Sequence, residues 1–190
     1  MSNHLINFLK LFRDIPPDDE ALIASAVVSR HYREGDYLFE GGKICREMFF
    51  VCKGVLRIVA LNENGNEVIH FFLKEGQFCS ILNSFKNQIV AFESIQAACD
   101  AEVLAISRAG LDKLYEQLPY LNPLINQVIQ QQLLDKIAVR NSYLGQDSTT
   151  RYKMFMMRQS EIALRVPLSD VASYLGITPQ SLSRIRKNMK

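Results

Sequence analysis

The sequence predicts an α+β fold: an N-terminal antiparallel β-roll of the double-stranded β-helix or jelly-roll kind, one long helix, and a terminal pair of short helices. Three observations carry this. Across residues 29–107, short apolar runs alternate with glycine and asparagine turns at the spacing of an antiparallel roll. Across residues 120–144, apolar positions recur at helical spacing. From Pro167 onward, an apolar stripe, a glycine and a Thr-Pro pair mark two helices around a tight turn.

Residues 3–29 read as two helices separated by Ile15-Pro16-Pro17. Asp18, Asp19 and Glu20 at the start of the second suit the positive end of a helix dipole. Strand texture then begins. Glu34-Gly35-Asp36 leads into Tyr37-Leu38-Phe39, Lys53-Gly54 separates two apolar runs, and Asn64-Gly65 between such runs is the strongest hairpin signal in the chain. Further strands fit near residues 91–97 and 102–106, and Ser107 can cap a short helix running through Leu118.

In the long helix, Leu121, Leu124, Ile125, Val128, Ile129, Leu133, Leu134, Ile137 and Ala138 sweep around much of the circumference without a strict heptad seam. Such a helix is buried on more than one side, against the roll and against a second copy of the chain; the alternative is a core helix in a monomer. Residues 145–150 read as a polar hinge and 151–164 as another helix. The chain thus divides into residues 1–118 (roll and flanking helices), 119–144 (dimerisation helix) and 145–190 (terminal helical domain).

The last segment carries the functional signal. Leu168, Val171, Ala172 and Leu175 form one stripe, Gly176 supplies the left-handed stop, and Thr178 can cap a helix with Pro179 at its first position. Leu182, Ile185 and Met189 then share one face, while Gln180, Arg184 and Lys187 project from the other, flanked by Ser181 and Ser183. A solvated αα-hairpin is one reading. The other is a helix-turn-helix whose second helix enters the DNA major groove. Gln180, Ser181 and Arg184 are then the base-reading candidates, since arginine pairs bidentately with guanine and glutamine with adenine. Thr178, Ser183, Arg186 and Lys187 are the phosphate candidates. Residues 151–190 hold eight Lys/Arg against Glu161 and Asp170, an excess of +6, whereas the first 150 residues balance at −4. A basic end behind an acidic body favours double-stranded DNA as partner.

At 190 residues and 48% hydrophobic, the chain can bury a good core. No stretch approaches the roughly 20 apolar residues that span a bilayer. The Leu5–Leu9 run is broken by Lys10 and Arg13 with no cleavage site after it, so a cytoplasmic location with no membrane partner is expected. Cys45, Cys52, Cys79 and Cys99 are widely separated and His4, His31 and His70 lack ligand spacing, so no metal or cofactor is expected. No nucleophile motif or phosphate-cradling loop argues for an enzyme. Two alternatives from other classes remain, a cupin-like metal enzyme and a module whose terminal helices bind protein.

A β-roll, a long helix and a C-terminal helix-turn-helix, in that order, resemble the Crp–Fnr family of bacterial transcription regulators. The marks are Glu34-Gly35-Asp36, Lys53-Gly54, Glu63-Asn64-Gly65, Gly76-Gln77-Phe78, the run from Glu102 to Ser107, and the run from Ser173 to Lys187. The last looks most like members from Bacteroidetes-type bacteria. The resemblance implies a homodimer through residues 120–144 that acts with RNA polymerase. It also implies a departure: Ile81 stands where cyclic AMP-binding members carry a ribose-binding glutamate, and Ala91-Phe92 where they carry the phosphate-binding arginine pair. An uncationic apolar pocket suits a cyclic phosphate poorly. Either an uncharged or hydrophobic effector sits around Phe78, Ile81, Leu82, Ala91 and Phe92, or the space is filled by side chains. The chain ends soon after the recognition helix, so the β-wing of many relatives is expected to be missing.

Overall fold

The computed structural model describes residues 2–189, and two four-stranded antiparallel sheets organise it. One has the order β1 (Val28–Tyr32), β8 (Ala101–Ser107), β3 (Glu47–Lys53), β6 (Phe78–Cys79). The other has β2 (Tyr37–Phe39), β7 (Ser94–Ala97), β4 (Leu56–Leu61), β5 (Glu67–Leu73). Phe49, Val51, Leu56, Leu73, Ile95 and Val103, drawn from both, close the roll's inner core. Each such side chain contributes about 1.5–3 kcal/mol on full burial.

The expected hairpin at Asn64-Gly65 joins β4 to β5. Gly65 has φ +76, and Asn62 Oδ1 accepts from the N–H groups of Asn64 and Asn66 at 3.0 Å. At Gly54, φ is +91 and a Cβ would lie 2.3 Å from the Asp100 carbonyl oxygen, so both backbone shape and space require glycine there.

The outer face of the first sheet is covered by α1 (Ser2–Lys10), α2 (Pro17–Ala26), α4 (Arg108–Gln117) and the first half of α5 (Leu121–Tyr143). Leu9, Ile23, Leu114 and Leu121 bury against Met48, Phe50, Leu104 and Ile106. The Ser107 hydroxyl accepts from Gly110 N at 3.0 Å and caps α4 as expected.

Three elements depart from expectation. A short helix, α3 (Leu82–Asn87), follows β6 and ends in left-handed Gln88, φ 55. The strand expected from residue 91 begins only at Ser94; Val90 instead makes an isolated antiparallel bridge with Ile44, and Ala91 exchanges bonds with Gly42 N and Lys43 O. The helix expected over 151–164 is two, α6 (Ser148–Arg158) and α7 (Ser160–Ala163), broken where Gln159 leaves helical geometry at φ −134.

Asp147 caps α6, accepting from Thr149 N and Thr150 N, so the helix starts inside the segment read as a hinge. α8 (Leu168–Leu175) and α9 (Pro179–Asn188) complete the chain. These terminal helices do not hang free. Phe155, Val171, Leu175 and Leu182 share one apolar cluster with Val55, Val59, Ile69 and Phe72 of the roll.

Candidate nucleic-acid interface and roll cavity

The α8–α9 pair is built as its punctuation demands. Gly176 is left-handed at φ 63, and Ile177 N donates to Ala172 O across the turn. Thr178 Oγ1 accepts from Ser181 N at 3.1 Å, with Pro179 at the first helical position. Arg151 Nη1 of α6 donates to Leu175 O at 2.6 Å, which fixes the turn against the preceding helix.

Leu182 is 1% exposed and Ile185 packs on the same cluster, so α9 is anchored by its apolar side. Met189, expected on that side, is exposed because the helix ends at Asn188. Gln180, Ser183, Arg184, Arg186 and Lys187 all face solvent. Ser181 is half-buried, and its Oγ accepts from Thr178 Oγ1 at 3.0 Å. The Thr178 hydroxyl thus caps α9 and bonds Ser181, while the side chain itself stays exposed at the helix start.

Charge pairs tie this unit to the roll. Arg57 of β4 donates from Nη1 to Asp170 Oδ2 of α8, and from Nε and Nη2 to Gln96 Oε1. Arg165 holds Glu75 bidentately at 2.6 and 2.9 Å, and Lys74 pairs with Glu161. The Arg165 guanidinium holds the Glu75 carboxyl down to about 2. Ser173 Oγ accepts from Ile69 N at 3.1 Å. Arg151 and Arg165, both counted in the basic excess, therefore have partners inside the molecule.

A cavity of about 190 Å³ lies between the roll and α5. Phe78, Ile81 and Leu82 line it, as expected. Ala91 and Phe92 do not: Ala91 is packed in the roll core, and Phe92 is 86% exposed, carried outward by the loop before β7. Nor is the wall free of positive charge. Ile129, Gln132, Leu133 and Lys136 form a stripe on α5 facing the cavity. Gln132 pins that stripe by accepting from Phe78 N and donating to Gly76 O, both at 3.1 Å. Sequence reasoning missed Lys136 because it arrives from a distant helix, although the i, i+3, i+4, i+7 spacing was there to read.

Among the described residues, no group of three or more His, Cys, Asp or Glu side chains is placed to hold a metal ion, and no helix is long and apolar enough to cross a membrane.

Residues 29–118 match the family described as the cyclic nucleotide-binding domain. The chain is 20% identical over 173 residues, 84% of this chain and 80% of the other, to the cAMP-activated global transcriptional regulator CRP of Salmonella typhimurium. In fold it is similar to the c-di-GMP-responsive global regulator CLP of Xanthomonas campestris, at TM-score 0.72 and 17% identity, covering 92% of this chain and 91% of that one. A regulator assigned to the crp/fnr family from Eubacterium rectale aligns at TM-score 0.72 and 18% identity, covering 96% and 87%.

Proposed function

We propose, for a chain that belongs to the Crp–Fnr family of transcription regulators, that it binds duplex DNA through α9 as a homodimer and does not respond to cyclic AMP. The observation carrying the DNA reading is the division of α9. Leu182 is sealed into the core while Gln180 and Arg184 stand free on the opposite side. Groove reading requires side chains that are positioned by their helix yet unengaged by their own protein. Gln180 and Arg184 then contact base edges, and Ser181, whose Oγ accepts from Thr178 but still carries a proton to donate, flanks them. Thr178, Ser183, Arg186 and Lys187 meet phosphates.

Dimerisation is assigned to the second half of α5. Leu134 and Ile137 are 53% and 42% exposed there, on a different face from the stripe that meets the roll. Two-fold pairing would present two copies of α9 to half-sites spaced by whole helical turns. Control of RNA polymerase, by recruitment or obstruction, belongs to the same reading.

Unresponsiveness to cyclic AMP is inferred from the cavity wall. It offers one lysine and no arginine, with Ile81 in the middle and Glu93 at the side. A mobility shift on genomic fragments at several salt concentrations tests the DNA reading. Affinity should fall linearly on a logarithmic salt scale, as phosphate contacts release counterions. Binding unaffected by salt, or none, contradicts it. Addition of cyclic AMP should leave the shift unchanged.

A further inference from the structure

A second cavity, of about 250 Å³, opens where β5, the end of α5, the start of α6 and the α8–α9 turn meet. Its polar wall consists of His70, Arg140, Tyr143, Arg151, Ser173 and Tyr174; backbone and aliphatic side chains make up the rest. No carboxylate lines it, and among the described residues neither arginine is paired with one. Two guanidinium groups bordering one cavity without a counter-charge repel each other, so the wall favours an anion. The donors there are largely unspent. The His70 ring and the Arg140 guanidinium make no hydrogen bond among the described residues. Arg151 gives one N–H to Leu175 O, reaches Ser148 Oγ only at 3.5 Å, and leaves a buried Nε unpartnered. Ser173 Oγ accepts from Ile69 N, and the Tyr143 and Tyr174 hydroxyls accept from Gln159, so each keeps a proton to donate.

We infer that this cavity takes a phosphodiester of the duplex backbone beside the groove that α9 reads, with Arg140 and Arg151 as its cationic ligands. The inference rests on the DNA reading and extends it beyond the terminal helices, to α5 and β5. Position argues for the occupant. When the second helix of such a pair lies in the major groove, the first crosses the sugar–phosphate backbone. Ser173, Tyr174 and Leu175 at the end of α8, with Gly176 of the turn, form one edge of the cavity. Chemistry argues the same way, because a phosphodiester presents several acceptor oxygens to forked guanidinium donors. Arg140 stands outside residues 151–190, so the basic excess of that segment understates the positive surface the backbone meets. Held from three elements at once, the strand ties the terminal helices to the roll. DNA binding and the docking of α8 then reinforce each other.

The test is a mobility shift of the full chain on a duplex selected from a random pool and on a scrambled one, at several salt concentrations. The parent is compared with Arg140→Gln, with the double variant Arg140→Gln/Arg151→Gln, and with Lys113→Gln, an exposed position on α4 outside the cavity. Arg140→Gln should weaken both duplexes alike, by threefold or more, with base preference intact. The double variant should lower the salt slope by about one, the signature of one lost phosphate contact. Lys113→Gln should change neither quantity. Arg140 is exposed and unpartnered among the described residues, so its replacement decides the matter even where loss of Arg151 unsettles the turn. Calorimetric titration with pyrophosphate separates a free anion from the duplex. Pyrophosphate binding that Arg140→Gln abolishes, with DNA affinity unaltered, assigns the cavity to a free phosphorylated ligand and overturns the inference. Parental DNA affinity in Arg140→Gln overturns it as well and leaves the DNA reading standing. A parent chain that shifts no duplex overturns both.

Discussion

Arg57 on β4 and Asp170 on α8 form an ion pair across the junction between the roll and the terminal helices, with side chains only 16% and 8% exposed. Gln96 completes the guanidinium's partners and in turn donates to Gly35 O at 2.6 Å. Removing one member of a buried pair costs about 3–5 kcal/mol, because the other charge is stranded. Arg57→Ala should destabilise the chain by an amount toward that range. Asp170→Asn should cost less, since Arg57 keeps Gln96 and a neutral acceptor. Chemical denaturation of both variants measures this, and equal, negligible effects would show that the junction does not rely on the pair.

The same junction carries an acid-sensitive contact. Glu75 is held at about 2 against an ordinary 4.5, chiefly by its hydrogen bonds from Arg165. A carboxyl depressed on folding contributes stability that is fully present above its unfolded value and is lost as pH falls through its folded value. Docking of the terminal helices should therefore weaken from about pH 4.5 downward, most steeply toward pH 2. Limited proteolysis across that window should reveal it. Glu75→Gln should remove this component of the pH dependence.

Leu134 and Ile137 separate folding from association. Both are substantially exposed on α5, so a charge at either position disturbs little within one chain. Leu134→Glu should leave the helix and strand content of the chain unchanged by circular dichroism, while its thermal midpoint no longer rises with protein concentration and sedimentation shows a shift from dimer to monomer. Binding to palindromic DNA should weaken with it, because the second half-site is lost. An unchanged sedimentation coefficient would assign the dimer to another surface.

On the proposed reading, Arg184 supplies specificity and Lys187 general attraction to DNA. Both are exposed on α9, one turn apart. Arg184→Ala should cost about 1–3 kcal/mol on the preferred sequence and flatten discrimination at one base step. Lys187→Ala should weaken all sequences alike and reduce the salt slope by about one. Equal losses across all sequences for both variants would contradict the division.

The elements that could be read from sequence were those whose signals are local. Gly176, Thr178 and Pro179 each act within a turn of their own position, and the structure places each in its expected role. Asn64-Gly65 and Ser107 are of the same kind. What escaped depends on distant neighbours. The break at Gln159 has no glycine or proline to announce it; its side chain donates to the Tyr143 and Tyr174 hydroxyls at 3.0 and 3.4 Å, contacts fixed only after folding. The family resemblance puts Phe92 at the pocket, but its loop is held by the segment near Gly42, which turns the ring outward. Lys136 was hidden for the opposite reason: a lysine on a helix is ordinarily solvated, and the roll residues that cover it lie more than forty positions earlier. The docking of α8 on β5 likewise joins residues about a hundred apart, which no window of sequence can show.

Selection of duplexes from a random pool tests the groove-reading role of α9 most directly. The parent chain should enrich a two-fold symmetric sequence, and Arg184→Ala should lose preference at one symmetric pair of positions while keeping the remainder. Enrichment of no sequence, or of the same sequence at undiminished stringency by Arg184→Ala, would contradict that role.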